Sequence, residues 1–116
     1  MFLGGWWKGS GDPNALPAPS VFLLRQTNSC LTWVGLSQES GEANGASWIE
    51  AFMGQIRPNF TIVGAWEEVP EGGRGTLTAD IEFVPVGNDY EVELTLADSS
   101  GDIHRTKHWV REEDAP

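Results

Sequence analysis

Thr76-Leu77-Thr78-Ala79-Asp80-Ile81-Glu82-Phe83-Val84 alternates apolar and polar residues with hardly a break, and Gly87-Asn88-Asp89 turns it into a second alternating run, Tyr90–Ala97. A strand sends successive side chains to opposite faces, so a period of two marks a half-buried strand. The first run places Leu77, Ala79, Ile81 and Phe83 inward and Thr76, Thr78, Asp80 and Glu82 outward. In the second, Tyr90, Val92, Leu94 and Leu96 face in while Glu91 and Glu93 face out. Two such runs joined by a glycine-containing turn predict a β-hairpin.

The pattern continues to both sides. Downstream, Asp98-Ser99-Ser100-Gly101-Asp102 turns the chain into a further strand, Ile103–Arg111, and residues 112–116 form an acidic tail beyond a single domain, 1–111. Upstream, Phe60–Val69 is a strand that ends in Pro70-Glu71-Gly72-Gly73-Arg74-Gly75. Leu31–Leu36 and Val21–Gln26 are strands separated by a short polar turn, and Phe2–Trp7 is the first strand. Glycine, proline, serine and asparagine cluster between these runs, as turn chemistry requires. One stretch reads two ways. Ser47-Trp48-Ile49-Glu50 has the form of a helix capping box, and Trp48, Ile49, Phe52, Met53 and Ile56 recur at helical spacing. The same residues alternate as Trp48, Glu50, Phe52, Gly54 and Ile56, and Gly54 weakens a helix. The two periods are nearly even. The stretch is taken as the fourth strand because its neighbours are strands joined by tight turns.

That makes eight sequential antiparallel strands, and the expected fold is all-β: an eight-stranded antiparallel up-and-down β-barrel, in which closure removes both unpaired edges. Such a barrel is either filled by side chains or holds one small ligand. Alternate connections fall at the same end. Those near 9–19, 37–47, 70–75 and 98–102 are mostly long and rich in glycine, whereas those near 27–30, 57–59 and 85–89 are short. One end therefore reads as closed and the other as a mouth, where loops carry specificity.

Composition narrows the function. Seventeen acidic and seven basic side chains give a net charge of −10, with no basic field to meet nucleic-acid phosphates. The single cysteine, Cys30, cannot form an internal disulfide. The longest run of large apolar residues, Val21–Leu24, is far too short for a membrane helix. Met1–Gly11 lacks the basic and apolar regions of a signal peptide, and a cytoplasmic location is expected.

Several motifs together resemble a pattern of small uncharacterised bacterial domains: Gly4-Gly5-Trp6, Phe22-Leu23-Leu24-Arg25-Gln26, Trp33-Val34-Gly35, Phe52-Met53-Gly54-Gln55-Ile56, Gly64-Ala65-Trp66-Glu67-Glu68-Val69-Pro70-Glu71-Gly72, Gly75-Thr76-Leu77-Thr78 and a closing Trp109. The likeness runs from Gly4 to Trp109. It departs at Glu68, where the pattern has aspartate, and at Thr32-Trp33, where it has two tryptophans. The stretch His104–His108 replaces the glycines that precede the last tryptophan. More broadly, an early G-x-W and a late basic residue are similar to lipocalin- and avidin-like barrels. That resemblance implies that Trp6 plugs the closed end beneath Arg111, and that the barrel binds a small apolar or ring-shaped ligand. Folds do not dictate function, so the site has to be argued from its own residues.

Trp7, Trp48 and Trp66 fall beside the mouth and can offer flat apolar faces with a polar N–H, although barrel tryptophans are also ordinary core fillers. Trp33 and Trp109 read as core. Arg25 would anchor an anionic group if it faced inward. An outward Arg25 paired with a surface carboxylate is the slightly favoured alternative. Glu50 shares the face of Trp48 and Phe52, an apolar setting in which a carboxyl can serve as a general acid. The ligand-binding set is thus Trp7, Trp48, Trp66, Arg25 and Glu50. Glu67 and Glu68 are adjacent, point to opposite faces and read as solvated rim residues. His104 and His108 stand roughly 13 Å apart on a strand, too far to share a metal. Neither a metal nor a cofactor is expected.

Strands two to five are apolar on both faces, and an apolar outer wall predicts a partner, here a homo-oligomer. The leading expectation is a non-catalytic barrel that binds a small organic or carbohydrate-like ligand at its long-loop end. The alternatives are an oligomeric interaction domain without a ligand site, or a small enzyme using Glu50 or His104.

Overall fold

The computed structural model describes residues 2–10, 20–37, 49–69, 72–101 and 106–112. Within them the strands are β1 (Gly5–Ser10), β2 (Ser20–Thr27), β3 (Cys30–Ser37), β4 (Ile49–Ile56), β5 (Thr61–Val69), β6 (Arg74–Val86), β7 (Asp89–Ser99) and β8 (His108–Glu112). Each pairs antiparallel with the next, and β8 returns to pair with β1. The chain is therefore an all-β, eight-stranded antiparallel up-and-down barrel. No helix among the described residues is long and apolar enough to cross a membrane.

The stretch with two readings is a strand, and its glycine explains why. Register places Phe52 between Trp33 of β3 and Trp66 of β5, and Gly54 opposite Gly64. A side chain at either glycine would collide with the Phe52 ring and with backbone of the facing strand. The residue that weakens a helix is the one this sheet needs beneath a large ring. Trp48 lies outside the described residues.

Each strand sends one parity inward. Trp7, Phe22, Trp33, Phe52, Trp66 and Trp109 are all buried, and they interlock. Trp33 stacks on Phe52 with ring centroids 3.9 Å apart, and Phe22 meets Trp33 and Trp109 edge-on at 6.2 and 6.0 Å. Edge-on and offset stacks suit the aromatic quadrupole, which adds to the burial of so much apolar area. Leu31, Ile62, Leu77, Ala79 and Leu94 complete the core.

Three expectations about strand limits are corrected. The first strand begins at Gly5 and continues to Ser10, while Phe2–Gly4 precede it and Leu3 is fully buried. The last strand runs His108–Glu112, leaving Thr106 and Lys107 before it, while 103–105 lie outside the described residues. Phe83 and Tyr90, expected inside, are 45 % and 69 % exposed. The reason is length. β6 and β7 have 13 and 11 residues against 9 and 5 in their other neighbours, so the end of their hairpin runs beyond the barrel wall. There Phe60 meets Phe83 edge-on at 5.5 Å. At the other end of this pair the register skips Ala97, a bulge that brings Ser99 opposite Leu77.

The short-connection end is closed by a specific set of contacts. Leu3 donates its backbone N–H to Gln26 Oε1 at 2.7 Å, and its carbonyl accepts from Trp7 Nε1 at 2.9 Å. Arg111, the register partner of Trp7, lies over the indole with its guanidinium carbon 5.0 Å from the ring centroid and donates to the Phe2 carbonyl. Burial lowers the Arg111 guanidinium below its ordinary value. The tryptophan beneath Arg111 is thus Trp7 and not Trp6, which is only half-buried on the outer parity beside Leu23.

Candidate functional site

The connections 11–19, 38–48, 70–73 and 100–107 all leave from the opposite end. Near that end the inward parity of β3–β5 includes one register row, Gly35, Glu50 and Glu68. The next row down is Trp33, Phe52 and Trp66. Alternation on β4 sends Glu50 to the same side as Phe52, and the pairing with β3 brings Trp33 within reach of it. Trp33 Nε1 donates to Glu50 Oε1 at 2.8 Å in a buried setting. Glu50 is 1 % exposed. Glu68 is half-buried and turned inward as its cross-strand partner. Directly opposed residues have Cβ atoms about 4.5–5.5 Å apart, so two carboxyl groups converge at this end above a floor of aromatic rings.

Gly35 makes room for the Phe22 ring. The Phe22 ring lies where a side chain at Gly35 would be, so the row between Phe22 and Glu50 carries no bulk of its own. Trp66 is buried and turns its indole N–H to the Thr76 carbonyl at 3.2 Å, leaving its ring as wall. The arrangement places hydrogen-bond acceptors from two carboxyl groups above a packed aromatic floor.

The predicted site residues therefore separate. Glu50 and Trp66 lie in neighbouring rows at the long-connection end. Trp7 does not join them, because its N–H and Arg111 hold it toward the closed end. Arg25 does not either. β2 turns Phe22, Leu24 and Gln26 inward, which leaves Arg25 exposed on the outer wall. Trp48 and His104 fall outside the described residues. His108 is engaged by Glu93, Nε2 to Oε1 at 2.7 Å, and its Nδ1 lies 3.3 Å from Thr95 Oγ1. Among the described residues, no three His, Cys, Asp or Glu side chains gather as a metal site.

Two members of the site were assigned elsewhere by the sequence. Trp33 was read as core, and it is core, but its N–H is also the donor to Glu50. Glu68, expected at the solvated rim, is half-buried and of the inward parity at the end of β5. The signal for Glu68 was available in the parity of Ile62, Gly64, Trp66 and Glu68 along β5. For Trp33 there was none, because its partner is set by the β3–β4 register.

No family model matches the chain, and no curated protein or solved structure matches it.

Proposed function

We propose that this barrel is a non-catalytic binding protein for a small organic or carbohydrate-like ligand, held at the long-connection end with Glu50 as its polar anchor. One observation carries the reading: a carboxyl that is 1 % exposed, held by an indole N–H, in an inward row near the end of the strands from which the long connections leave. Burying a carboxylate costs stability, and an apolar side chain would fill the position better if filling were all it did. Trp33, Phe52 and Trp66 form the apolar floor directly below it. The Trp7–Arg111 closure at the other end supports the broader likeness to lipocalin-type barrels, which bind their ligands through the open end.

The test is a panel of ring-bearing amines, simple sugars and neutral aromatics, screened by thermal shift and tryptophan quenching against the wild type and Glu50→Gln. At least one wild-type ligand is expected, with affinity reduced about tenfold or more in the variant, as loss of a charge-assisted hydrogen bond implies. A panel that leaves the melting temperature and fluorescence unchanged, or a ligand indifferent to Glu50→Gln, overturns the reading.

A further inference from the structure

We propose that the outer wall of β2–β5 is the interface of a homodimer in which Arg25 of each copy faces Glu67 of the other. The inference does not depend on the ligand reading, since it concerns the opposite face of the sheet.

The register lays out the wall. Outward residues form four rows across β2, β3, β4 and β5: Val21 (itself buried), Leu36, Ile49 and Val69; Leu23, Val34, Ala51 and Glu67; Arg25, Thr32, Met53 and Ala65; Thr27, Cys30, Gln55 and Val63. Six of these are large apolar side chains with substantial exposure, from 36 % at Leu36 to 71 % at Met53. Together they expose on the order of 500 Å² of apolar surface, near the upper end of what monomers leave uncovered. A contact that also covered Thr32 and the flanking charges would approach the roughly 800 Å² per partner of a standard stable interface.

Charge placement selects a second copy as the occupant. Within β2–β5 the wall carries one charge of each sign at opposite edges and in adjacent rows: exposed Arg25 on β2 and exposed Glu67 on β5, whose own register partner on β6 is Arg74. In an isologous contact the two-fold axis lies in the plane between the sheets. An axis running roughly along the strands between β3 and β4 exchanges β2 with β5, and so brings each Arg25 against the other copy's Glu67. The same axis lays the apolar rows of β3 on those of β4. With both signs present the surface is self-complementary, whereas a uniformly acidic face would repel its copy.

The rest of the barrel agrees. Asp80, Glu82 and Glu91, exposed on β6 and β7, stand well round the closed sheet from the β3–β4 centre of the wall. Glu82 lies opposite Glu93, so this outward face is strongly acidic. Dimerisation through β2–β5 keeps these fields apart and in water, despite a net charge of −10 on each chain.

The experiment is sedimentation velocity with light scattering on the full chain from about 1 to 100 µM. Wild type is expected at twice the chain mass of 12.7 kDa at the upper concentrations. Met53→Glu, at the most exposed of these positions, is expected at the mass of one chain with an unchanged far-ultraviolet spectrum. Arg25→Glu and Glu67→Arg should each weaken association about tenfold or more, and the double exchange should restore it. A wild type that is monomeric throughout overturns the proposal, as does a dimer unmoved by Met53→Glu. A double exchange no better than either single change refutes the Arg25–Glu67 pairing and the two-fold arrangement built on it.

Discussion

Replacing Trp7 by phenylalanine tests the closed end of the barrel and, with it, the inward register of β1. The indole N–H donates to the Leu3 carbonyl at 2.9 Å, and Leu3 is fully buried. Phenylalanine keeps the ring but has no donor, so the carbonyl loses its partner at a cost of about 1–3 kcal/mol. The smaller ring also leaves a void of a few tens of cubic ångströms, which at about 24 cal/mol per Å³ adds roughly 1 kcal/mol. Contact with the Arg111 guanidinium, 5.0 Å from the indole centroid, weakens by a further fraction of a kcal/mol because phenylalanine has the poorer π face. The expected loss is about 3 kcal/mol in all. For a chain of this size it lowers the melting temperature by roughly 10 °C. With an m-value of about 1.5 kcal/mol/M, the urea midpoint falls by about 2 M. The neighbouring Trp6→Phe is the control. Trp6 is half-buried on the outer parity, and its substitution should cost about 0.5 kcal/mol or less. Urea unfolding followed by far-ultraviolet circular dichroism, fitted with a common m-value, measures both. A Trp7→Phe loss below about 0.5 kcal/mol, or a Trp6→Phe loss as large as that of Trp7→Phe, would falsify the reasoning.

Gly64→Ala should destabilise by about 2–3 kcal/mol, because its methyl would overlap the Met53 carbonyl and the Gly54 Cα, and neither backbone can turn aside. At Gly35 the obstacle is a side chain, so Gly35→Ala combined with Phe22→Leu should cost about 1 kcal/mol less than the sum of the two single changes in a double-mutant cycle. Along β7, Leu94→Ala should cost about 3 kcal/mol and Tyr90→Ala less than about 0.5 kcal/mol, since Leu94 is fully buried and Tyr90 is 69 % exposed. Equal losses at the two positions would place the end of the core elsewhere.

The candidate site was legible in part, and for a definable reason. Alternation along one strand says which residues share a face, and it put Glu50 with Phe52 once residues 49–56 were read as a strand. The parity of β5 puts Trp66 and Glu68 on one side in the same way. Alternation does not say which face is the inner one where apolar residues occupy both. Val21, Phe22, Leu23 and Leu24 look alike in sequence, so Arg25 and Gln26 could each have been the inward polar residue. The pairing of Leu24 with Trp33 decides for Gln26, which then reaches the Leu3 N–H. Arg25 is thereby moved to the outer wall.

The sequence by itself determined seven of the eight strands and the long and short ends, because turn chemistry and a period of two are local properties of the backbone. At residues 49–56 two periods competed, and the pairing with β3 and β5 decided for a strand. The sequence also determined that β6 and β7 turn acidic residues outward, since there the apolar and polar parities do not compete. Only the tertiary structure decided which of two adjacent tryptophans closes the barrel, since Trp6 and Trp7 differ by one residue and by the whole thickness of the sheet. That choice follows from closure: β8 pairs with β1, placing Arg111 across from Trp7. The same is true of Glu50 and Trp33, which lie 17 residues apart and meet through a register that no local pattern contains. A strand's own residues dictate its alternation, but its facing is dictated by the neighbours it pairs with, and in a closed sheet every strand has two.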